Sequence, residues 1–360
     1  MTTASKIFVA LDLGNKQTKI KTEKETLVLP SKLINSLDTG RTKFTGGIRQ
    51  AKRPNELHTY QILNHDDSYE WGADLNQLNL NDQVLETIMI DNRYDSEMFE
   101  NLANFALARA VKPFVQDSNQ KIVLDVVTGM PTADYILSDE SETKAIKKVL
   151  SGDHSVLIDG ETFNLKVENI YVIPQPAGTL YDIMLNADGE IVDANIFKQK
   201  VRIIDIGGGT LILNEFDSGE LNANIESTSY DGAQSLYRMI KNHSSNKMIL
   251  QSLEQAFKNR GENNGHIIYH YSATNVKDIT EEVKAEVHHW TQNIINKINT
   301  VFGESKSFDR TIFTGGSINL VDREYIKKYV KNTEFVSNGE IANVSGFYKL
   351  YLAQLQQEGK

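Results

Sequence analysis

Val9-Ala-Leu-Asp-Leu-Gly-Asn-Lys-Gln-Thr-Lys-Ile-Lys21 has a counterpart almost two hundred positions later, Val201-Arg-Ile-Ile-Asp-Ile-Gly-Gly-Gly-Thr-Leu-Ile-Leu213. Each is an apolar run that delivers an aspartate, one apolar residue, then glycine and small polar residues, then a second run of strand type. The pattern predicts a β-hairpin with Asp at its entrance and a turn poor in side chains at its tip. Free backbone N–H groups in such a turn form a nest for anions, and glycine permits close approach and positive φ. One Asp-x-Gly element alone is ordinary turn chemistry. Two of them, each wedged between apolar strands, read as a pair of phosphate grips serving one nucleotide from opposite sides.

The chemistry of each position follows. Gly14 and Asn15 at the first tip, and Gly207, Gly208, Gly209 and Thr210 at the second, present backbone donors and short polar side chains. Asp12 and Asp205 sit where strand meets turn. Mg²⁺ takes one or two carboxylates, waters and substrate phosphates, so these aspartates are expected to hold the ion, largely through its waters. Lys19 returns on the second strand and can place its ammonium on a β- or γ-phosphate. A third glycine element, Thr311-Ile-Phe-Thr-Gly-Gly-Ser-Ile-Asn319, reads as a strand running into Gly315, Gly316 and Ser317 and then a helix-like segment. That would pack backbone against a flat base or ribose, with a helix N-terminus near phosphate. Hydrolysis also needs a group that orients water. In Val126-Val-Thr-Gly-Met-Pro-Thr-Ala-Asp-Tyr135 a buried strand breaks at Gly129 and Pro131 and presents Asp134. On the residues alone Asp134 is more readily a helix cap or first-turn carboxylate.

The chain has 360 residues, more than one hydrophobic core usually supports, so two lobes are expected. With 40% hydrophobic and 24% charged residues it reads as a soluble globular protein. No apolar run approaches the ~18–20 residues of a membrane span, and the N-terminus leads into a strand without a signal-peptide core. Zero cysteine removes disulfides and thiolate metal sites and fits a reducing cytoplasm. A net charge of −10 argues against direct nucleic-acid binding, so any nucleic acid would arrive on a basic adaptor.

Strands are expected at 7–11, 26–29, 122–127, 170–173, 201–204 and 311–313, and helices at 96–112, 141–150, 178–186, 231–242 and 281–302. The mixture points to an α/β protein with both sheet faces covered. Residues 36–82 differ: polar, with Gly40, Gly46, Gly47 and Pro54, they read as a small inserted subdomain or lid whose Tyr60, Ile62, Leu63, Tyr69 and Trp71 can bury area.

The two Asp-Gly hairpins and the Gly-Gly element resemble the phosphate-1, phosphate-2 and adenosine motifs of the actin, heat-shock chaperone and sugar-kinase superfamily. Within it the chain is similar to the ParM-type bacterial actins that segregate plasmids, most of all those of Gram-positive plasmids. Asp91-Asn-Arg-Tyr-Asp95, Thr128-Gly-Met-Pro131, Pro174-Gln-Pro-Ala-Gly-Thr-Leu180 and Asn343-Val-Ser-Gly-Phe-Tyr348 extend the resemblance along nearly the whole chain. It implies an actin-like two-domain fold, each lobe a mixed sheet flanked by helices with the nucleotide in the cleft between. The first domain would comprise 1–199, with the subdomain at about 36–82 and completion by 340–360; the second would comprise 200–339.

Carried over, Asp12 and Asp205 become the Mg²⁺-side carboxylates. Gly14, Asn15, Lys19, Gly207, Gly208, Gly209 and Thr210 become phosphate contacts, and Gly315, Gly316 and Ser317 nucleotide contacts. Asp134 falls where ParM relatives carry a glutamate that activates water, which reverses the reading from the residues alone. It is one methylene shorter, so a slow ATPase is implied. Gly178 and Gly346 fall in the interdomain connections, where a hinge would bend. The resemblance further implies ATP (GTP being the alternative) with Mg²⁺, head-to-tail assembly of copies of the chain into a helical filament, and loosening on hydrolysis. It implies a basic ParR-like DNA-binding adaptor on centromere-like plasmid DNA, and a cytoplasmic location.

A sugar or acid kinase would use the same turns, but no motif for a substrate pocket or base stands out. A chaperone would need a peptide-binding domain after Lys360, and a bacterial actin with a non-plasmid cytoskeletal role remains open. His266 and His270 flank strand-like residues and lack acidic or cysteine partners at ligand spacing, so they do not read as a metal site. His288-His289-Trp290 reads as helix packing. Asn343-Val-Ser345 fits a glycosylation acceptor that a cytoplasmic chain would not use. Lys147-Lys148 and Lys327-Lys328 read as solvated faces.

Overall fold

The computed structural model describes residues 6–39, 56–78, 84–86, 93–117, 120–136, 140–244, 247–272, 274–303 and 307–357. They fall into two compact units, Met1–Ile191 with Asn343–Lys360, and Val192–Ala342.

In the first unit the run carrying Asp12 forms β1 (Ile7–Leu13), which folds back through β2 (Gln17–Lys21) and β3 (Thr26–Pro30) as an antiparallel meander. The chain continues into β4 (Lys32–Asn35), β5 (His58–Ile62), β6 (Tyr69–Trp71) and β7 (Val84–Glu86). Next come α1 (Glu97–Val111), β8 (Lys121–Met130), α2 (Thr132–Ile136) and α3 (Ser141–Leu150). A hairpin of β9 (Gly152–Ile158) and β10 (Glu161–Pro174) leads to α4 (Gln175–Met184). Among the described residues these strands form one sheet, in the order β3-β2-β1-β8-β10-β9-β5-β6-β4-β7, with β1, β8 and β10 parallel. The helix α1 is apolar nearly all round and buried, as a helix enclosed in a core must be.

The described part of 36–82 continues this sheet, since β5 pairs with β9 through Tyr60 and Ile158. Tyr60, Tyr69 and Trp71 are buried as expected, and Trp71 donates its indole N–H to the Pro30 carbonyl at 2.7 Å. Leu63 is exposed instead, because the chain turns there at the end of β5. Gly40, Gly46, Gly47 and Pro54 lie outside the described residues, as do Asp91 and Asn92.

The second unit repeats the plan. A meander of β11 (Lys200–Ile206), β12 (Leu211–Asp217) and β13 (Glu220–Ser229) is followed by α5 (Ala233–His243) and α6 (Leu250–Lys258). A short hairpin, β14 (Ile268–His270) with β15 (Val276–Asp278), precedes α7 (Lys284–Phe302). Then β16 (Arg310–Thr314), α8 (Arg323–Tyr329) and β17 (Thr333–Phe335) complete a sheet ordered β13-β12-β11-β16-β17. In both units a meander is extended from its first strand by two parallel strands. The repeat legible at two turns is therefore a repeat of topology. Its core includes Trp290, whose indole N–H reaches the Asp231 carbonyl at 3.0 Å.

The final helix, α9 (Ala342–Gln357), packs on α4 within the first unit. A Cβ on Gly346 would overlap the Gly178 carbonyl, and one on Gly178 would meet the Asn343 backbone and Phe347 ring. Thr179 donates to Asn343 Oδ1 at 2.8 Å beside this contact. Both glycines thus serve close helix packing, whereas the chain passes between units at 191/192 and 342/343.

Candidate functional site

The first turn is held by side chains. Asp12 is 2% exposed and takes Lys19 Nζ on Oδ2 at 2.9 Å, across the hairpin pair that sets the two residues opposite each other. A carboxylate this buried requires such a partner. Ser31 donates its hydroxyl to the Gly14 carbonyl at 2.6 Å and its N–H to the Lys16 carbonyl at 3.0 Å. Arg93 donates Nη1 to Asn15 Oδ1 at 2.8 Å and Nη2 to the Leu13 carbonyl. Burial pushes the Arg93 guanidinium below its ordinary value, with Tyr94, Asp12 and Asp134 acting in the opposite sense.

The second turn is held by backbone. Gly207 N–H donates to the Thr210 carbonyl at 2.8 Å, closing the turn. The Gly207 carbonyl takes Ala233 N–H at 3.1 Å and the Ser317 hydroxyl at 3.0 Å, and the Gly208 carbonyl takes Gln234 N–H at 2.8 Å. With its carbonyls engaged at the start of α5, the turn leaves the N–H groups of Gly208 and Gly209 without a backbone partner among the described residues, as an anion nest requires. Gly315, at φ +96°, lies against Asp205: an added Cβ would run into Asp205 Oδ1 and the Ile206 carbonyl. Ser317 N–H bonds the Ile206 carbonyl at 2.9 Å. Asp205, the second turn and the third glycine element are therefore one cluster within the second unit. Gly316 follows Gly315 in that cluster, but no helix begins there. Successive turns through 316–320 replace it, and α8 starts only after Asp322, whose carboxylate caps it at Tyr325 N–H.

Asp134 lies in the first turn of α2 and accepts the Tyr94 hydroxyl on Oδ2 at 3.0 Å. Burial raises the Tyr94 phenol, so it stays protonated and can only donate to that carboxylate. Burial also raises Glu142, with Asp134 and Asp95 adding to the effect.

Three contributors escaped the sequence reading. Ser31 and Arg93 reach the first turn from 17 and 78 positions away, and Gly232 packs on the Gly207 carbonyl and Thr210 N–H. An added side chain at Gly232 would fill that space, a requirement only a three-dimensional contact reveals. His266, just before β14, has an acidic partner in Asp278 of β15 at 2.6 Å, with both side chains exposed. Among the described residues no group of three or more His, Asp or Glu is gathered for a metal. An ion held by one or two carboxylates, waters and phosphates needs none. No described helix is long and apolar enough to cross a membrane.

Two family models match the sequence: the actin-like proteins' N-terminal domain over residues 10–178, and the Alp7A C-terminal domain over residues 200–345. No curated protein matches it by sequence. Among solved structures, apo ParM of pSK41 is 21% identical with a TM-score of 0.71, each chain being covered to 98%. Ta0583, an archaeal actin homolog in complex with ADP, is 16% identical with a TM-score of 0.70, over 95% of this chain and 97% of that one. A ParM from Clostridium botulinum, seen in a 15-stranded filament, is 16% identical with a TM-score of 0.68, over 97% and 99%. The paired sheets with a glycine turn at each first strand thus define an actin-like fold. The two family models between them take in both sheets and all three glycine elements. The chain belongs to the actin-like proteins.

Proposed function

We propose that this chain is an ATPase that assembles into filaments on binding ATP with Mg²⁺ and that the filaments segregate plasmid DNA. One observation carries the reading: each unit holds a glycine turn beside an aspartate, with its carbonyls tied back into the protein. The donor chemistry fits the ligand. Gly14, Asn15 and Lys19 of the first turn and Gly207, Gly208, Gly209 and Thr210 of the second would take phosphate oxygens. Gly315, Gly316 and Ser317 would take the nucleoside. Asp12 and Asp205 would hold Mg²⁺ through its waters, and the ion would neutralise phosphate charge. Lys19, which balances Asp12 in this structure, would share its ammonium with a phosphate. Asp134, oriented by Tyr94, would accept the proton of the attacking water.

Filament formation is supported by kinship with ParM-type proteins, among them one solved as a filament. A net charge of −10 favours a basic, ParR-like DNA-binding adaptor over direct contact with DNA. The setting would be the cytoplasm. Light scattering and negative-stain microscopy with ATP and Mg²⁺ against ADP test the assembly, which should appear with ATP and disappear as phosphate is released. No polymer at any protein concentration sinks it. Asp134→Ala should leave assembly intact and slow phosphate release by a factor of roughly 100; an unchanged rate removes Asp134 from the reaction.

A further inference from the structure

Two neighbouring side chains, Arg93 and Tyr94, reach two partners that the reading above places in one reaction. Arg93 spans 78 and 80 positions of sequence to hold Asn15 and Leu13 of the first turn. Tyr94 spans 40 to hold Asp134. The segment that carries them is firmly seated. Ser96 donates its hydroxyl to the Arg93 carbonyl at 2.6 Å while capping α1 at Phe99 N–H. The Arg93 guanidinium lies 5.7 Å from the Tyr94 ring centroid and 5.2 Å from that of Phe99, and the two rings meet edge to face at 5.2 Å. Phe99 is fully buried in the core of the unit.

A half-buried cation with a buried Nε is a poor way to fill space, since it must be partly desolvated where an apolar side chain would avoid that cost. What a guanidinium offers in return is a rigid fork that can satisfy two acceptors at once. The two it satisfies flank Gly14. Tyr94 likewise has a task beyond packing, because a phenol donating to a carboxylate fixes its rotamer.

We propose that Arg93 and Tyr94 are paired positioning residues: Arg93 fixes the first phosphate turn, Tyr94 fixes Asp134, and their adjacency sets the spacing between bound phosphate and the carboxylate that takes the proton from water. This rests on the assignment of the first turn to phosphate. Neither side chain touches reacting atoms. Both act through the group they hold.

Hydrogen exchange of the nucleotide-free chain tests the clamp itself. R93K keeps the charge and loses the fork, so amides at 13–17 should exchange about tenfold faster while the interior of α1 is unchanged. Y94F should do the same for 132–136. With nucleotide, R93K should raise the Kd for ATP about tenfold with a smaller change in kcat. Y94F should lower kcat about tenfold at unchanged Kd. A loss of packing alone would not divide Kd from kcat between the two variants in this way. Intact turn protection in R93K, or an unchanged kcat in Y94F, overturns the proposal. Failure of the unaltered chain to bind ATP overturns the phosphate assignment and the proposal with it; the exchange data then show that the clamp exists without that role, so the two failures read differently.

Discussion

The two glycine turns share a sequence plan and are built in opposite ways. Around Asp12, side chains from distant positions hold the turn: Ser31 on Gly14, Arg93 on Leu13 and Asn15, Lys19 on Asp12. Around Asp205, backbone holds backbone, through the first amides of α5 and the close approach of Gly232 and Gly315. A turn secured by side chains can be loosened one bond at a time. One secured by glycine packing tolerates changes of polarity and fails when a single carbon is added.

The largest effect is therefore expected from Gly315→Ala. Alanine at φ +96° is strained, and its Cβ has nowhere to go between Asp205 Oδ1 and Ile206. A loss of about 3 kcal/mol or more is expected, read as a drop in the urea midpoint. An unchanged midpoint would break the contrast, since the second turn would not depend on backbone contact. Matched serines sharpen it. Ser31→Ala removes a 2.6 Å bond to the Gly14 carbonyl and a 3.0 Å contact with Thr18 Oγ1, and should cost about 1–3 kcal/mol. Ser317→Ala should cost about 1 kcal/mol or less, because the Gly207 carbonyl keeps Ala233 N–H. Equal losses would show that both turns lean on hydroxyls alike.

Acid should also separate the units, by the smallest margin. Burial holds the His154 imidazole, between Asn104 Oδ1 and the Leu150 carbonyl, below its ordinary 6.5. A base with a depressed folded-state pKa stabilises above its unfolded value, and that contribution falls as pH drops below about 6.5. In the second unit the Thr280 hydroxyl and N–H, with His266, hold the Asp278 carboxyl at about 2. Its contribution is present above 3.8 and lost only as pH falls towards 2. Exchange protection should thus decline first in the first unit between pH 7 and 5, and His154→Gln should flatten that decline. A decline in the second unit over the same range would contradict this account.

Much of the fold was legible where a local pattern and its tertiary role agree. Strands at 7–11, 122–127, 201–204 and 311–313 and the helices at 141–150 and 281–302 lie within or close to observed elements, because their apolar periodicity is also what the core needs. The helix α9 was missed because Asn343-Val-Ser-Gly346 is poor in helix formers. Gly346 is tolerated there since α4 comes too close for any side chain. The helix expected directly after Ser317 was an error of the same kind in reverse, for consecutive turns satisfy that backbone. At the turns, Asp, Gly and Lys advertise themselves by local spacing. Arg93 and Ser31 do not, because nothing beside them in sequence reveals that they bond a turn 78 and 17 positions away.

The two tryptophans of the chain fall one in each unit, and each donates its indole N–H to the residue just before one that secures a turn. Trp71 bonds Pro30, which precedes Ser31; Trp290 bonds Asp231, which precedes Gly232. Indole emission is sensitive to such a bond and to the burial that both rings share. The molecule thus carries a separate lamp beside each turn. Replacing either tryptophan by phenylalanine leaves the other to report alone, so the order in which the two turns respond to a ligand can be timed without attaching a dye.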